Sequence, residues 1–260
     1  MKLSCIFSTT RCVIESAAAI VALFSCTLLP SSLNAIEPAT TSMMGMGSSA
    51  YGELGTGIVG FIDVPVQLDS GVTSVATANT QCARTVYLKS DGTLWLTGDG
   101  DAPHQIASSV AKVVTSAYHC LYLTTDSKLY AFGVNENGEL GDGTLVNRDA
   151  DNAYLLAENV ASMAANMHTT FYITTAGDLY GCGFNNSGQL GTGDTIDRHF
   201  PVKIASDVLS VSNGVYTTMY LTTYNTMYGM GAAYNGNMKQ GGLAEGSTST
   251  PISIAAGVAS

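Results

Sequence analysis

From residue 43 onward the apolar residues fall into short runs separated by glycine- and asparagine-rich segments, and no 3.6-residue periodicity links them. Four kinds of run recur. The first ends on glycine: "MMGMG" at Gly47, "LWLTG" at Gly98, "LYAFG" at Gly133, "LYGCG" at Gly183 and "MYGMG" at Gly231. The second is often opened by proline, as in "PVQL", "PVKIA" and "PISIA". The third reads "VTSV", "VAKV", "VASM" or "VLSV", and the fourth contains "VYLK", "LYLT", "FYIT" or "MYLT". This last run leads into the next glycine-ended run through turns such as Asp91-Gly92 and Ala176-Gly177, flanked by β-branched and aromatic residues as β-hairpins are. Each unit therefore predicts four short strands, and the chain is expected to be all-β.

Between the first and second runs lies a glycine loop. In four of the five units, further glycines follow the terminal one at five and ten positions: Gly52 and Gly57, Gly138 and Gly143, Gly188 and Gly193, Gly236 and Gly241. The two fullest loops set Gly133, Asn135, Gly138, Leu140, Gly141 and Gly143 against Gly183, Asn185, Gly188, Leu190, Gly191 and Gly193. Glycine relieves the cost of positive φ in so compact a loop. Asn135 and Asn185 are placed to bond nearby backbone, while Leu54, Leu140 and Leu190 are expected to turn inward. A sheet of four short strands cannot cover both of its faces, so successive sheets must stack around an axis, which predicts a β-propeller. Units start near residues 43, 94, 129, 179 and 227, giving four full repeats and a partial fifth. The run "MMGMG" has no Tyr-Leu-Thr-Thr partner before it, and "GVAS" at Gly257 to Ser260 stops where "NVAS" at Asn159 to Ser162 continues. We therefore expect an incomplete ring whose open strand edges favour an oligomer.

The N-terminus reads differently. Lys2 and Arg11 precede the apolar stretch Ala17 to Leu29, and "SSLNA" follows, the order of a secretory signal covering 1–35 with cleavage after Ala35. At about 13 residues the stretch falls short of the roughly 20 of a membrane span, although an uncleaved anchor stays open. A short linker, 36–42, then leads to the repeats, 43–260. The expected location is secreted, periplasmic or cell-surface, with no stable membrane span once the signal is gone. A net charge of −10 argues against nucleic acid as partner. Removing the signal leaves Cys82, Cys120 and Cys182, an odd number without metal-ligand spacing, so neither a disulfide framework nor a metal nor a cofactor is expected.

The pattern G-x-N-x-x-G-[QE]-L-G-x-G at Gly133 to Gly143 and Gly183 to Gly193, followed by an apolar pair and then Tyr-Leu-Thr-Thr, resembles the regulator of chromosome condensation repeat family. The resemblance extends over roughly Met43 to Ser260 and implies a propeller, typically of seven blades in that family. The sequence departs from the pattern at Ser49, at "GDGDAPHQI" and at "GAAYNGNMKQGG"; the family's histidine before the Leu-Thr segment is matched only by His119. Two kinds of relative are implied as precedents: a nuclear one acting on a small GTPase and docking on chromatin, and a secreted bacterial one that inhibits β-lactamase through loops on one face.

No active site is legible. "GTGIVG" at Gly55 to Gly60 is the tail of a repeat loop and lacks the helix of a dinucleotide site, and "VNENGE" recurs without charge as "FNNSGQ", which reads as a structural turn. The four histidines form no HExxH motif and no nucleophile elbow is present. Binding residues are better founded: Tyr118, His168 and Tyr216 occupy equivalent positions before the Tyr-Leu or Tyr-Ile strands and should share one face, with His119 beside them. Repeated aromatic and imidazole side chains suit a protein or glycan surface, though packing between blades is the plainer reading. Phe61, His104, His199 and Phe200 are secondary candidates in the longer loops. The expected function is an exported, non-enzymatic interaction module, inhibitor-like or part of a surface protein. The alternatives are a secreted hydrolase or lyase and a guanine-nucleotide-exchange-type regulator.

Overall fold

The computed structural model describes residues 20–25, 41–49, 54–56, 60–77, 84–98, 101–232 and 246–258. Five antiparallel sheets account for nearly all of them. The first holds β1 (Ile20–Ser25), β2 (Thr41–Ser49) and β3 (Gly60–Ser70). Four four-stranded sheets follow, each in plain sequential order. They comprise β4 (Val72–Thr77), β5 (Arg84–Lys89), β6 (Leu94–Gly98) and β7 (Asp101–Ala107); β8 (Val110–Thr115), β9 (His119–Thr124), β10 (Leu129–Gly133) and β11 (Tyr154–Ala157); β12 (Val160–Asn166), β13 (Thr169–Thr174), β14 (Leu179–Gly183) and β15 (Arg198–Ala205); and β16 (Val208–Asn213), β17 (Thr217–Thr222), β18 (Thr226–Ala232) and β19 (Ser247–Ala256). Among the described residues the single helical element is a 3-10 turn, Ala150–Asn152, and no helix is long and apolar enough to cross a membrane.

The strands β4, β8, β12 and β16 approach one another and form the inner layer; β3, β7, β11, β15 and β19 lie outermost. Proline sits where an outer strand tolerates a missing N–H: Pro65, Pro103, Pro201 and Pro251 fall on β3, β7, β15 and β19. In each of these sheets the outer ladder shifts register near the terminal glycine of its neighbour, between Gly45 and Gly47, Leu96 and Gly98, Gly181 and Gly183, or Gly229 and Gly231. The bulge absorbs the residue that cannot donate.

Sheet boundaries fall half a repeat away from the sequence units. The glycine-ended strand and the proline strand of one unit close a sheet, and the remaining two strands open the next, so every unit ties two sheets together. Periodicity defines the length of a repeat but not its phase. A second difference concerns β2, which the sequence left without a strand before it: β1, drawn from the apolar stretch read as a signal, pairs with it from Ile20↔Met46 to Ser25↔Thr41. A run rich in β-branched and apolar residues suits a strand as well as it suits export. At its other edge β2 pairs with β3 and not with β19.

Two-residue or single-glycine corners carry the chain from sheet to sheet, with Gly71, Ser109, Asn159 and Asp207 all near φ 60° (69°, 56°, 57° and 58°). The corners at Ser109, Asn159 and Asp207 are bonded to hairpin turns on both sides: Ser109 O accepts from Thr125 N at 2.7 Å, and the next residue, Val110, donates to Gly92 O at 2.9 Å. Asn159 with Val160 and Asp207 with Val208 repeat the arrangement. The core alternates accordingly. Leu121, Leu123 and Leu129 face Val160, Met163 and Tyr172 of the following sheet, whereas Cys120, Tyr122 and Phe132 face Val86, Leu88 and Leu94 of the preceding one. A stacked aromatic pair joins the two middle strands of every four-stranded sheet: Tyr87 and Trp95, Tyr122 and Tyr130, Tyr172 and Tyr180, Tyr220 and Tyr228.

The glycine loops bear the predicted leucines. Leu54, Leu140 and Leu190 are all buried, the last two against the next sheet. Leu190→Ala is expected to lower stability by about 2 to 5 kcal/mol in a denaturant titration, a loss for its cavity beside Phe171 and Met230. The loop glycines differ in kind. At Gly188 (φ 77°) a Cβ would lie 2.6 Å from Ser249 Cα, whereas at Gly193 (φ 89°) it would meet nothing within 4 Å. Gly188→Ala should therefore cost clearly more than Gly193→Ala, which bears only the roughly 1 to 2 kcal/mol of left-handed backbone. Equal losses would contradict the packing of this loop on β19.

Candidate protein-binding rim

The loop between β10 and β11 is folded around one carboxamide. Asn135 Oδ1 accepts from Leu140 N at 2.9 Å, and Asn135 Nδ2 donates to Thr144 O at 3.0 Å and Asp142 Oδ1 at 3.1 Å. Asn185 repeats this with Leu190 N at 2.8 Å, and with Asp194 O and Ile196 O both at 3.1 Å. Both amides are fully buried. Arg148 and Arg198 close the loops through Asp142 at 2.6 Å and Asp194 at 2.7 Å; against its burial, hydrogen bonds from Thr144 and then Arg148 hold the Asp142 carboxyl below the usual carboxylate range, and Arg198 does so for Asp194. So folded, each loop lies on the outer strand of the next sheet, Gly143 N donating to His199 O at 2.9 Å and Gly193 N to Ser249 O at 2.7 Å.

The leucine's neighbour in each loop, Glu139 or Gln189, is carried to the inner end of the sheet junction and buried there. Glu139 accepts from Asn137 N at 2.8 Å, Asn137 Nδ2 at 2.9 Å and His168 Nδ1 at 2.9 Å. As a carboxylate it can only accept, so His168 Nδ1 carries hydrogen. The imidazole stacks on Tyr118 with centroids 4.5 Å apart and planes 17° from parallel, and Phe184 closes over it at 6.0 Å. Thus Tyr118 and His168, expected to share one face, touch. Tyr216 occupies the equivalent β16–β17 turn on the same face and is 42% exposed, beside exposed Val215. The three turns between inner and second strands, carrying Tyr118, His168 and Tyr216, form a rim of aromatic and small side chains.

Other candidates belong elsewhere. His119 is buried, with Ser116 Oγ 2.9 Å from Nδ1 and Thr170 Oγ1 2.8 Å from Nε2, and Thr170 Oγ1 donates in turn to Glu139 O at 2.8 Å. It supports the rim from beneath and offers no surface. Phe61, His104, His199 and Phe200, expected in loops, lie on the outer strands β3, β7 and β15. His199 and Phe200 cover Gly138 and Gly143, and Phe61 and Phe200 are largely exposed. The strand β15 begins three residues before Pro201, where the sequence placed its start. Cys120 and Cys182 are buried and form no disulfide, while Cys82 lies outside the described residues. Among the described residues no group of three or more His, Cys, Asp or Glu side chains is placed to hold a metal. Glu139 and Asn137 do not stand out in the sequence, where their one signal is the alternation of Glu and Gln before the loop leucine.

Models of the regulator of chromosome condensation (RCC1) repeat match residues 110–139 and 176–221. These two segments carry the RCC1 repeat. Human E3 ubiquitin-protein ligase HERC2 is 30% identical over 117 residues, a match spanning 38% of this chain and 2% of the ligase. Among solved structures, the yeast RCC1 (Prp20)–Kap60 complex matches with TM-score 0.64 and 17% identity, over 84% of this chain and 59% of that one. Prp20p of Saccharomyces cerevisiae, described with its binding to Gsp1p and histones, gives 0.62 and 18%, over 84% and 61%. Human WBSCR16 gives 0.59 and 18%, over 75% and 57%. These likenesses concern the fold, and the chain spans about three fifths of the length of the structures it resembles.

Burial holds the His119 imidazole to a pKa of about 4, although the Glu139 carboxylate pulls the other way. An unfolded histidine titrates near pH 6.5, so between about pH 6.5 and pH 4 the unfolded chain binds the proton that the folded one refuses. The contribution is intact above that window and is lost as pH falls through it. Replacing His119 with Gln should flatten this part of the stability-against-pH curve; an unchanged slope would contradict a neutral buried imidazole.

Proposed function

We propose that this protein is an exported, non-enzymatic interaction module that docks a protein partner on the rim of Tyr118, His168 and Tyr216. The observation that carries the reading is the rim itself: accessible aromatic and imidazole side chains on three successive sheet junctions, with His168 held by the buried Glu139 and stacked on Tyr118. Rigid Tyr and His side chains give large contact area at small entropic cost, which is why such residues anchor protein interfaces. The named relatives point the same way, since yeast RCC1 is described bound to Kap60, and Prp20p with Gsp1p and histones. Export rests on the order of charged, apolar and small residues in 1–35.

The test is capture of a partner from the exported fraction of the producing organism, followed by titration of that partner. Tyr118→Ala and Tyr216→Ala should each weaken binding about tenfold or more, with the melting temperature little changed, whereas Phe61→Ser and Phe200→Ser on the outer strands should leave it unaltered. Loss at the outer positions but not at the rim would move the docking face to the periphery. Turnover of a substrate that disappears in His168→Ala would replace the reading with an enzymatic one.

A further inference from the structure

We propose that His168 is the point on this rim that receives a carboxylate from the partner, an Asp or Glu side chain or a free C-terminus, and that its protonation gates the docking. The inference rests on the rim being the docking face and names the chemistry that the face selects. Three features carry it. First, Nδ1 is committed to the buried Glu139 carboxylate at 2.9 Å, and Nε2 has no hydrogen-bond partner among the described residues, while the side chain is 27% exposed. Second, the ring is fixed by Tyr118 on one side and Phe184 on the other, so Nε2 has a set direction without further ordering cost. Third, the next junction keeps the frame but loses the titratable pair. There Gln189 replaces Glu139 and Tyr216 replaces His168; Gln189 Oε1 accepts from Ser187 N at 3.0 Å, but Nε2 is buried without an acceptor. Of the two, only the His168 junction holds a part-exposed nitrogen that a carboxylate from outside can reach.

The proton count follows from the geometry. With His168 charged, Nδ1–H pairs with Glu139 and Nε2–H points outward as a cationic donor, suited to an anionic oxygen. With His168 neutral, the hydrogen stays on Nδ1 and Nε2 turns a lone pair outward, which repels the same oxygen. The groups facing the ring are Glu139 and Asn137 from the glycine loop, Tyr118 from the β8–β9 turn, Phe184 after β14, and His119 beneath, which is neutral at ordinary pH. Glu139 is the one anion bonded to the ring, and it lies on the inner side. The net charge of −10 acts over longer distances, where salt screens it within about 10 Å.

A random-peptide phage library panned on the full chain tests this. The expected peptides carry Asp, Glu or the free C-terminus at one fixed position, bind about tenfold or more tightly at around pH 5.5 than at about pH 8, and lose that advantage when the acid is replaced by its amide. Because His168→Phe strands a buried charge, the deciding variant is the double substitution Glu139→Gln with His168→Tyr, which reproduces the arrangement that the next junction already folds around. It should abolish both the acid preference and the pH dependence. Peptides that depend on Tyr118 and Tyr216 but carry no fixed acid, or an acid preference surviving in the double variant, would overturn the role of His168 and leave the rim as docking face. Peptides indifferent to every rim variant, or a library without a rim-dependent binder, would count against both.

Discussion

The architecture depends on the carboxamides of Asn135 and Asn185. Each is a buried side chain whose oxygen and nitrogen are spent on the backbone of its own loop, replacing the ladder bonds that a strand would have made. Without them the glycine loop has little reason to be compact, because its glycines permit the conformation but do not favour it. Once the loop is closed, two things follow together. A leucine is driven into the seam between sheets, and the residue before it, Glu139 or Gln189, is set at the inner end of that seam. The element that joins the blades is therefore the one that supports the rim.

That coupling explains why the junctions look alike but differ chemically. The loop frame is the same at Glu139 and at Gln189, each accepting from the backbone N–H two residues before it, but the facing turns differ: Met167 and His168 between β12 and β13, Gly214 to Tyr216 between β16 and β17. Beneath the rim, His119, Thr170 and the Glu139 carbonyl form a chain of contacts from one sheet to the next. Such a scaffold varies its surface at fixed positions, as loops on rigid frames do.

Much of this was legible in the sequence. Glycines at fixed offsets, with a leucine between them, identify the loop and its burial, and the Asn two residues past the strand announces its own role. Tyr118, His168 and Tyr216 were aligned by counting back from their strands. What was not legible has physical causes. The phase of the sheets is invisible because a repeat can be cut anywhere. The strand Ile20–Ser25 was hidden because β-branched and apolar residues serve a strand and an export signal equally. His199 and Phe200 were placed in a loop because Pro201 suggested a strand start, whereas the outer strand begins at Arg198 and accommodates the proline in a bulge. The Glu139 to His168 pair spans 29 positions and two sheets, a distance that no local pattern encodes.

Hydrogen exchange of Asn135→Ala measured against the unaltered chain tests the central claim most directly. If the carboxamide holds loop, seam and rim as one unit, protection falls in residues 133–148 and also in 163–173 of the following sheet, where Met163, Tyr172 and the His168 turn rest on Leu140 and Glu139. Loss confined to residues 133–148, with the following sheet as protected as before, would show that the loop decorates a junction that stands without it.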